Sequence, residues 1–580
     1  MNDIYLKLNI FVICIAVLLN ANFLYAQDEQ RILPREIQTQ DEPPEVPQQE
    51  VEIVQDATVL VDELKALVFV GNEQAVSPTA IQGEGVVIRD VAILDDENFR
   101  NRIRPYIGQP VSLALLYEVA QETILFYRDK DRPVVDVFAP QQDISNGVIQ
   151  MVAVEGRVGE VYVQGNKWFS SKVIRSQVSL RTNAQLRISR INQDLKTLNQ
   201  NPFRYVDVVF TPGTEDGTTD VILQTQDRFP VRFYTGWEDT GNDLTGDERW
   251  IFGFNWGDAF FLDHQMNYQF TSSSDFDMLT AHSGSYMVPL PWAHNVSLYG
   301  SYAESNAEVP GGTSIGGSSW QVGMRYTVPL PDIKTYNHEL VFGYEFKQSN
   351  NLTDVAGLFE LGSLNDVSQF IFEYGASLPD SIGGTSLTLI GVWSPGGMTG
   401  LNDDLAFRTS RDTDDTQADY AYFKVNAERI FKLPWEFTSV HSFTFQIANA
   451  NLLASEQLSV GGYYSVRGYD ERELSDTDEG WLMRHELRTP SISVLDLLGL
   501  KKVEDELQFL GFWDYADVSP YEPLPGQSDS ESLSSVGAGL RYSIAPYLSI
   551  RADYGFQLTD VPGTDSRYND RWHLGMLLSY

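Results

Sequence analysis

The feature that most limits the fold is an alternation of apolar and polar residues that runs through about the last 350 residues. The stretch WQVGMRYTV, for example, separates Trp320 and Tyr326 from Gln321 and Arg325. Such a period of two indicates β-strands whose two faces meet different surroundings. A water-soluble sandwich would bury its large residues, whereas many Trp, Tyr and Phe near strand ends are typical of a transmembrane barrel. We therefore predict an all-β transmembrane barrel over residues 229–580.

Short turns divide this region into strands. The seven turns lie, in order, at 256–264, 288–294, 328–334, 377–383, 432–437, 488–502 and 543–549. They alternate with longer polar, Gly-rich or acidic segments, as periplasmic turns alternate with extracellular loops in outer-membrane barrels. A barrel that begins and ends in the periplasm and has seven such turns has eight hairpins. The sequence therefore predicts sixteen antiparallel strands.

Residues 64–228 follow a different pattern, in which strands alternate with amphipathic helices. In 64–155 the strand LKALVFV precedes two helical patterns, ENFRNRIRPYI and LALLYEVAQETILFYR, and the second follows a Ser112 N-cap. Two strands, PVVDVFA and GVIQMVAVEG, then complete the unit. The order strand, helix, helix, strand, strand returns in 156–228. We therefore predict two small α+β domains ahead of the barrel.

The N-terminal residues have the features of a targeting segment and a linker. An apolar run followed by Ala26 at a cleavage position indicates a secretory signal peptide over residues 1–26. The only cysteine, Cys14, lies within it, so we expect no disulfide and no thiolate chemistry after cleavage. Residues 27–57 are acidic and contain several prolines, which predicts a disordered linker. We also consider a short plugging helix at about 53–63.

Composition and motifs exclude several classes of function. A net charge of −39 argues against a nucleic-acid partner, because clustered Lys and Arg bind phosphate backbones. The chain has no G-x-x-x-x-G-K-[ST] loop and its seven histidines lack metal-ligand spacing, so we expect no cofactor and no metal. GTSIG at 312–316 matches a nucleophile motif but lacks its strand-turn-helix setting. A solvated loop explains the acidic run at 408–419 more simply than bound divalent ions, and we predict no enzymatic activity.

One long segment, 453–479, falls in the sixth of the eight predicted loops and contains GGYYSVRGY. The lumen of a sixteen-strand barrel is wide enough for a long loop to fold inward. An inward position of Arg467 requires an anionic partner on the lumen wall. In LQFLGFWDYAD the alternation turns Phe512 and Asp514 inward, and Asp514 can accept two hydrogen bonds from the guanidinium. Gly468 permits the tight turn that presents the arginine.

At this point the sequence resembles the outer-membrane transporters of two-partner secretion, the haemolysin and haemagglutinin secretion/activation family of the POTRA-plus-barrel superfamily. The residues that match its sixth-loop motif are Val466, Arg467, Gly468 and Tyr469. FWDYA resembles its F-x-D-x-G strand motif, with Phe512 and Asp514 in place and Ala516 where the motif has Gly. The resemblance covers roughly residues 64–580 and implies that the two α+β units are POTRA domains.

The resemblance implies secretion of a large unfolded partner exoprotein, of the adhesin or haemolysin kind, across the outer membrane of a Gram-negative bacterium. The POTRA domains then lie in the periplasm, where an exposed strand edge can pair with the extended cargo. Candidate edge residues are Val134, Val135, Asp136, Val137 and Phe138 in the first unit, and Tyr205, Val206, Val208 and Phe210 in the second. If these strands lie inside their sheets, they have no free edge.

The last strand, RWHLGMLLSY, resembles the C-terminal signal that is read by the barrel-assembly machinery during biogenesis. Its alternating residues are Trp572, Leu574, Met576, Leu578 and Tyr580. A strand that faces outer-membrane lipid or lipopolysaccharide also explains this pattern. Two other functions stay open: an insertase for other barrel proteins, which typically carries more POTRA units, and a passive porin or receptor, which has no use for the tandem units.

Overall fold

The computed structural model describes residues 56–580 except for 216, 243–244, 310–312, 356–358, 412–415, 476, 501–502, 525 and 562–569. The predicted signal peptide and nearly all of the predicted linker lie outside the described residues. The described chain forms two compact units, one that ends at Pro230 and one from Val231 to Tyr580. None of the helices described here is both long enough and apolar enough to cross a membrane.

The first α+β unit contains a four-stranded sheet and two helices. Its elements are β1 (Ala66–Val70), a 3-10 turn (Glu73–Ala75), β2 (Gly85–Arg89), α1 (Glu97–Ile103), a 3-10 turn (Arg104–Tyr106), α2 (Leu113–Asp129), β3 (Val135–Phe138) and β4 (Val148–Glu155). The strand order is β2-β1-β4-β3, with β1 parallel to both neighbours and β3 antiparallel to β4. The predicted N-cap of α2 is present, because Leu115 N donates to Ser112 Oγ at 3.1 Å.

This unit differs from the sequence prediction in two places. Residues 85–89 form a parallel edge strand that the predicted order omitted. The plugging helix considered at about 53–63 is absent from its described part, 56–63. Instead, Leu60 N donates to Val111 O at 2.7 Å, and Val111 N donates to Val61 O at 2.8 Å. Backbone groups that a helix would pair internally therefore pair with the segment before α2.

The second α+β unit has a three-stranded sheet, and its elements follow the predicted order. They are β5 (Arg157–Gln164), α3 (Ser171–Ser176), α4 (Ile188–Asn199), β6 (Arg204–Pro212) and β7 (Thr218–Asp227). The strand order is β5-β7-β6, with β7 parallel to β5 and antiparallel to β6. Helix α4 buries Ile191, Leu195 and Leu198 on one face, which matches its helical spacing of apolar residues.

The second compact unit is a closed barrel of sixteen antiparallel strands, as predicted. Strands β8 to β23 span, in order, Val231–Glu238, Arg249–Ala259, His264–Ser272, Leu279–Pro289, Asn295–Val309, Thr313–Pro329, Asn337–Val355, Phe359–Asp380, Gly383–Pro395, Asp419–Lys432, Thr438–Ala448, Glu479–Arg488, Glu506–Ser519, Glu531–Ile544, Leu548–Gln557 and Asp570–Ser579. Each strand pairs with the next, and β23 pairs with β8 from Gly575–Glu238 to Ser579–Tyr234. This last pairing closes the barrel.

The two faces of the wall differ in polarity as the alternation predicts. Large apolar residues of one parity are exposed on the outside, among them Phe233, Phe252, Val322, Met324 and Trp513. Polar and charged residues of the other parity are buried inside, among them Gln269, Glu345, Asp514, Asp553 and His573. Apolar residues outside and polar residues inside are the arrangement that a lipid environment and an aqueous lumen require.

The seven predicted turns lie at strand junctions, but the predicted alternation of short turns and long loops holds only in part: three residues separate β12 from β13 and β14 from β15, whereas the turn after β19 spans 489–505. The turn after β17 contains a 3-10 helix (Pro434–Glu436), and the turn after β19 contains a short helix, α6 (Val494–Leu497). Among the longer loops, the fifth contains α5 (Asp404–Arg411), and the sixth spans residues 449–478 between β18 and β19. We refer to residues 449–478 as loop six.

Candidate functional site: the inward-folded loop six

Loop six is buried over most of its described length, and its backbone has three glycines in left-handed conformations. Their φ angles are +113° at Gly461, +100° at Gly462 and +93° at Gly468. A Cβ added at Gly468 would lie 2.9 Å from the carbonyl carbon of Gly555 on β22. Glycine is therefore required at Gly468 for two reasons, the backbone angle and the close approach of another strand.

The guanidinium of Arg467 lies at the centre of a buried ionic network. Its Nε donates to Asp514 Oδ2 at 2.7 Å and its Nη2 donates to Asp514 Oδ1 at 2.8 Å, which is the predicted bidentate contact. Its Nη1 donates to Glu486 Oε1 at 2.7 Å, and the Phe512 ring centre lies 3.6 Å from Arg467 Cζ. Because Arg467 and Asp514 have no exposed surface, loss of one partner leaves a buried unpaired charge, which costs about 3–5 kcal/mol.

A third carboxylate extends this network along the wall. Asp553 Oδ2 lies 3.5 Å from Arg467 Nη1. The carboxylate of Asp553 also accepts hydrogen bonds from Arg541 Nη1 at 2.7 Å and from Arg551 Nε at 2.8 Å. The tip of loop six is therefore bonded through charged groups to β19, β20 and β22, and Arg541 of β21 supports the carboxylate of Asp553.

The neighbours of Arg467 in the motif add uncharged contacts. Gly468 N donates to His573 Nε2 at 2.9 Å, and Gly468 O accepts from Gln557 Nε2 at 2.7 Å. The hydroxyl of Tyr469 donates to Ser534 O at 2.8 Å and to Thr559 O at 2.7 Å, so the two carbonyls share its proton. These bonds tie the turn to β21, to β22 and its following loop, and to β23.

Ala516 stands where the strand motif has glycine, and the structure accommodates its methyl group. It belongs to a buried apolar cluster that includes Val466, Tyr469 and Leu482. Loop six therefore approaches β20 closely although the wall carries a side chain at this position.

Both predicted edge strands lie at the edges of their sheets. Within the described sheets β3 is bonded to β4 on one side, and β6 is bonded to β7 on one side. Val135, Val137, Val206 and Val208 turn their side chains into the two cores, whereas Asp136 is exposed. The interior position that would have removed a free edge does not occur.

The predicted C-terminal signal residues alternate along β23 and the residue after it. This strand closes the barrel. Trp572, Met576, Leu578 and Tyr580 are exposed on the lipid-facing parity, and Leu574 is partly exposed. The backbone of Tyr580 exchanges two hydrogen bonds with Phe233 of β8, at 2.9 and 3.1 Å. The contact of the C-terminal signal residues with the barrel-assembly machinery stays a prediction.

The residues of the network that were not predicted from the sequence include Glu486, Asp553 and His573. The signal that identifies them is the inward parity of β19, β22 and β23: Asp553 and His573 each lie between apolar neighbours, whereas Glu486 lies between His485 and Leu487. Parity alone does not give the height of a residue in the barrel, which decides whether it reaches Arg467.

The stretches that could suggest a catalytic nucleophile or a metal site can be located in the structure. Ser314 of the GTSIG stretch pairs with Glu308 and Asp354 inside β13, in extended backbone. Among the described residues no group of three or more His, Cys, Asp or Glu could hold a metal ion. Residues 412–415 of the acidic run in loop five lie outside the described residues.

Comparison with known families identifies this combination of fold and loop motif. The family model of the haemolysin secretion/activation protein ShlB/FhaC/HecB matches residues 217–542, more than half of the chain. The chain belongs to this family. A second model, the ShlB-type POTRA domain, matches residues 82–156 and covers most of the first α+β unit.

Relatives of the haemolysin secretion/activation family match most of the chain. The heme/hemopexin transporter protein HuxB of Haemophilus influenzae is 25% identical over 511 residues, which cover 82% of this chain and 84% of HuxB. The outer membrane transporter CdiB of Dickeya dadantii is 21% identical over 478 residues, which cover 76% of this chain and 79% of the relative. The resemblance to two-partner secretion transporters and the outer-membrane location are therefore confirmed.

Two solved structures support the fold. CdiB from Escherichia coli superimposes with a TM-score of 0.69 at 16% sequence identity, over 92% of each chain. CdiB from Acinetobacter baumannii gives a TM-score of 0.60 at 18% identity, over 93% of this chain and 94% of that chain. The predicted fold, POTRA domains followed in the chain by a sixteen-stranded barrel, is thereby confirmed.

Proposed function

We propose that the barrel moves a large unfolded partner exoprotein from the periplasm to the cell surface, that the POTRA units capture this cargo, and that loop six closes the lumen at rest. The observation that carries the proposal is the buried contact of Arg467 with Asp514. This contact holds a long loop inside the lumen, whereas in a permanently open pore the loop would lie outside the lumen. Such a loop gates the path because it lies within the lumen and is bonded to the lumen wall.

The lumen beside loop six supports this role. A cavity of about 260 Å³ lies between the loop and the wall of β16 to β19. Its lining includes Ser386, Asn426, Glu428, Ser442, Thr444 and Arg484. The lining also contains Val440, Phe443 and Leu482, so an unfolded segment in this cavity meets both polar and apolar side chains.

The two POTRA edges differ in how freely they can pair with cargo. On β6 the outward N–H and C=O of Val206 are bonded to the Asn199 side chain at 2.7 and 2.9 Å, and Val208 N donates to Asp207 Oδ1 at 2.7 Å. Among the described residues, no side chain covers the outward backbone groups of Val135 and Val137 on β3 in this way. We therefore assign cargo capture by strand addition to β3 of the first unit.

The chain is proposed to act without catalysis of its own. The sequence has no phosphate-binding loop of the nucleotide-hydrolysing kind, so the drive for export comes from folding of the cargo outside the cell. Contacts with outer-membrane lipid or lipopolysaccharide on the apolar face, and with the barrel-assembly machinery at β23, complete the proposed set of partners.

Deletion of the gene, followed by comparison of the proteins released into the medium, tests the function. Loss of one large exoprotein and its return with the wild-type gene are expected. Complementation with Arg467→Ala or Asp514→Ala is expected to reduce export at least about tenfold, because either change leaves a buried charge unpaired and frees the loop tip. Heat-modifiable migration in electrophoresis establishes that the variant barrels are inserted.

Arg429→Ala is the matched control. Arg429 is also a buried arginine of the barrel, and it donates to Asp380 Oδ2 at 2.7 Å near the turn after β15. In the described part of the chain Arg429 forms no hydrogen bond or ion pair with loop six, and its loss should leave export near the wild-type level. Normal export by both Arg467→Ala and Asp514→Ala would contradict the proposed gate.

A further inference from the structure

A second polar cluster contacts loop six near its beginning, well separated along the chain from Arg467. Glu456 is 4% exposed, and its carboxylate faces the lumen wall. Glu456 Oε1 accepts from Lys347 Nζ at 3.0 Å. Glu456 Oε2 accepts from Gln369 Nε2 and from the hydroxyl of Tyr422, each at 3.0 Å. One loop carboxylate is therefore bonded to three strands, β14, β15 and β17.

The wall residues that receive Glu456 are held in place by bonds among themselves. Gln369 Nε2 also donates to Glu345 Oε2 at 2.9 Å, and Gln369 Oε1 accepts from the Tyr420 hydroxyl at 2.7 Å. Glu345 Oε1 accepts from Arg325 Nη2 at 2.7 Å, and its other oxygen lies 3.4 Å from Lys347 Nζ. Both amide hydrogens of Gln369 are thus used, which fixes the orientation of its side chain.

The loop backbone beside Glu456 is also attached to this part of the wall. Gln446 Nε2 of β18 donates to Glu456 O at 3.0 Å. Leu452 and Leu453 lie in a buried apolar cluster with Val367 of β15 and Phe407 of α5. Polar and apolar contacts therefore hold the beginning of loop six to the wall formed by β14 to β18.

The contacts of Glu456 and of Arg467 have no partner in common. Arg467 is bonded to residues of β19, β20 and β22, whereas Glu456 is bonded to β14, β15 and β17. We infer that Glu456 is a second, independent anchor of loop six. The segment 456–467 then crosses the lumen as a strap that is held by Glu456 at one end and by Arg467 at the other. Release of Arg467 alone then leaves the strap tethered, and full opening requires release at Glu456. This inference deepens the proposed gating role of loop six.

Single-channel recordings of the purified full-length protein in planar lipid bilayers test the second anchor. Glu456→Gln is expected to raise the fraction of time spent open about tenfold, since it replaces charge-assisted hydrogen bonds by neutral ones. Lys347→Met should have a similar effect, and the two changes together should add little, because both break the same pair. Glu456→Gln combined with Arg467→Ala should multiply the two single effects, because the anchors are independent.

An unchanged open fraction in Glu456→Gln, together with no effect beyond that of Arg467→Ala in the combined variant, would overturn the inference. Asp380→Asn is the matched control. Asp380 is a carboxylate at the end of β15 that accepts from Arg429 Nη1 at 2.7 Å, and in the described part of the chain it forms no bond with loop six. The open fraction of this variant should stay within about twofold of the wild type, which is far below the effect of losing an anchor.

A chemical readout on intact cells gives the same answer without cargo. Ser459 lies between the two anchors and is half-buried, and Cys14 is the only cysteine of the chain. In a Ser459→Cys background, labelling by a membrane-impermeant maleimide should be fastest when Glu456→Gln and Arg467→Ala are combined. Equal rates in that combination and in Arg467→Ala alone would contradict the second anchor. Failure of the second-anchor inference can be told apart from failure of the proposed secretion function, because neither the channel recordings nor the labelling requires an exoprotein.

Discussion

At Gly468 the backbone of loop six passes so close to Gly555 of β22 that neither position has room for a side chain. A Cβ at Gly555 would lie 2.7 Å from Gly468 Cα, and the φ angle of Gly468 is +93°. We predict that Gly468→Ala moves the loop tip away from the wall and reduces export to a level similar to that of Arg467→Ala. Measurement of the exoprotein released into the medium checks this result.

Gly526 in the seventh loop provides the control for Gly468. Its φ angle is +95°, but a Cβ at this position would have no heavy atom within 4 Å. Gly526→Ala therefore adds backbone strain of about 1 kcal/mol without a clash, and export should be preserved. Equal loss of export in both variants would show that strain, and not the close approach to Gly555, explains the effect.

The central pair of the site could be predicted from the sequence, and its surroundings could not. Alternation places Asp514 on the inward face of its strand, and the buried position of Arg467 then requires such a carboxylate. Glu486 and Asp553 join the same network because the closed barrel brings β19 and β22 to the height of Arg467. That height depends on the register and tilt of every strand between them, which no local pattern contains.

At the scale of elements, the joint between the two POTRA units contains a helix cap supplied from outside the helix. Ser189 N of α4 donates to Asp131 Oδ1 at 2.7 Å, and Ser189 Oγ donates to Asp131 Oδ2 at 2.6 Å. Asp131 follows α2 of the first unit, whereas the N-cap residue of α4, Arg187, makes no side-chain cap bond. We predict that Asp131→Ala costs about 1 kcal/mol and widens the range of angles between the units.

Pulsed electron–electron distance measurements between spin labels at Glu84 and Lys172 check this prediction. Both residues are exposed, one in each unit. Asp129→Ala is the control, because Asp129 pairs with Arg102 at 2.6 Å inside the first unit and should leave the distance distribution unchanged. A distribution that stays narrow in Asp131→Ala would show that the cap does not fix the joint.

A buried carboxylate of the second POTRA unit predicts a pH dependence of stability. Burial raises the pKa of Asp194 from its ordinary value of 3.8 to about 6, although its bonds from Ser179 N and Oγ act in the opposite direction. The folded unit therefore binds this proton more tightly than the unfolded chain does. Stability falls as pH rises from about 4 to about 6, and above this window the penalty is complete at about 3 kcal/mol.

Hydrogen exchange of the α4 amides measures this penalty. Asp194→Asn should increase protection relative to wild type at about pH 7.5, where the wild-type carboxylate is charged, and should leave it nearly unchanged at about pH 4. Intrinsic exchange rates at each pH supply the correction. An equal effect of Asp194→Asn at both pH values would contradict the raised pKa.

Elements with strong local periodicity form as predicted from the sequence. The prediction is wrong where contacts with residues distant in the chain determine the local structure. Helix α2 begins after its predicted Ser112 cap because the cap and the apolar spacing are both local. Strand β2 was missed because its run of five residues has no alternation, and its partner β1 lies beyond a turn. The segment 56–63 is not helical because Leu60 and Val61 pair with Val111, before α2, which a local helical pattern cannot indicate.

At the scale of the whole molecule, the barrel has an apolar outer face and an inner face rich in polar residues. The outward residues of the wall include many large apolar side chains, and the cavity beside loop six is lined by polar and charged side chains together with Val440, Phe443 and Leu482. Loop six is attached to the wall by Arg467 at its tip and by Glu456 near its beginning. Exported protein is therefore expected to pass inside the barrel, next to this loop, and not along the outer face.

Site-specific photo-cross-linking during export tests this requirement most directly. A photoreactive residue at Asn426 of β17 would face the cavity, whereas one at Phe423 of the same strand would face lipid. In cells that secrete the natural exoprotein, we predict an adduct of barrel and exoprotein from Asn426 and none from Phe423. Continued export with no adduct at Asn426, or adducts of equal yield at both positions, would contradict passage through the lumen.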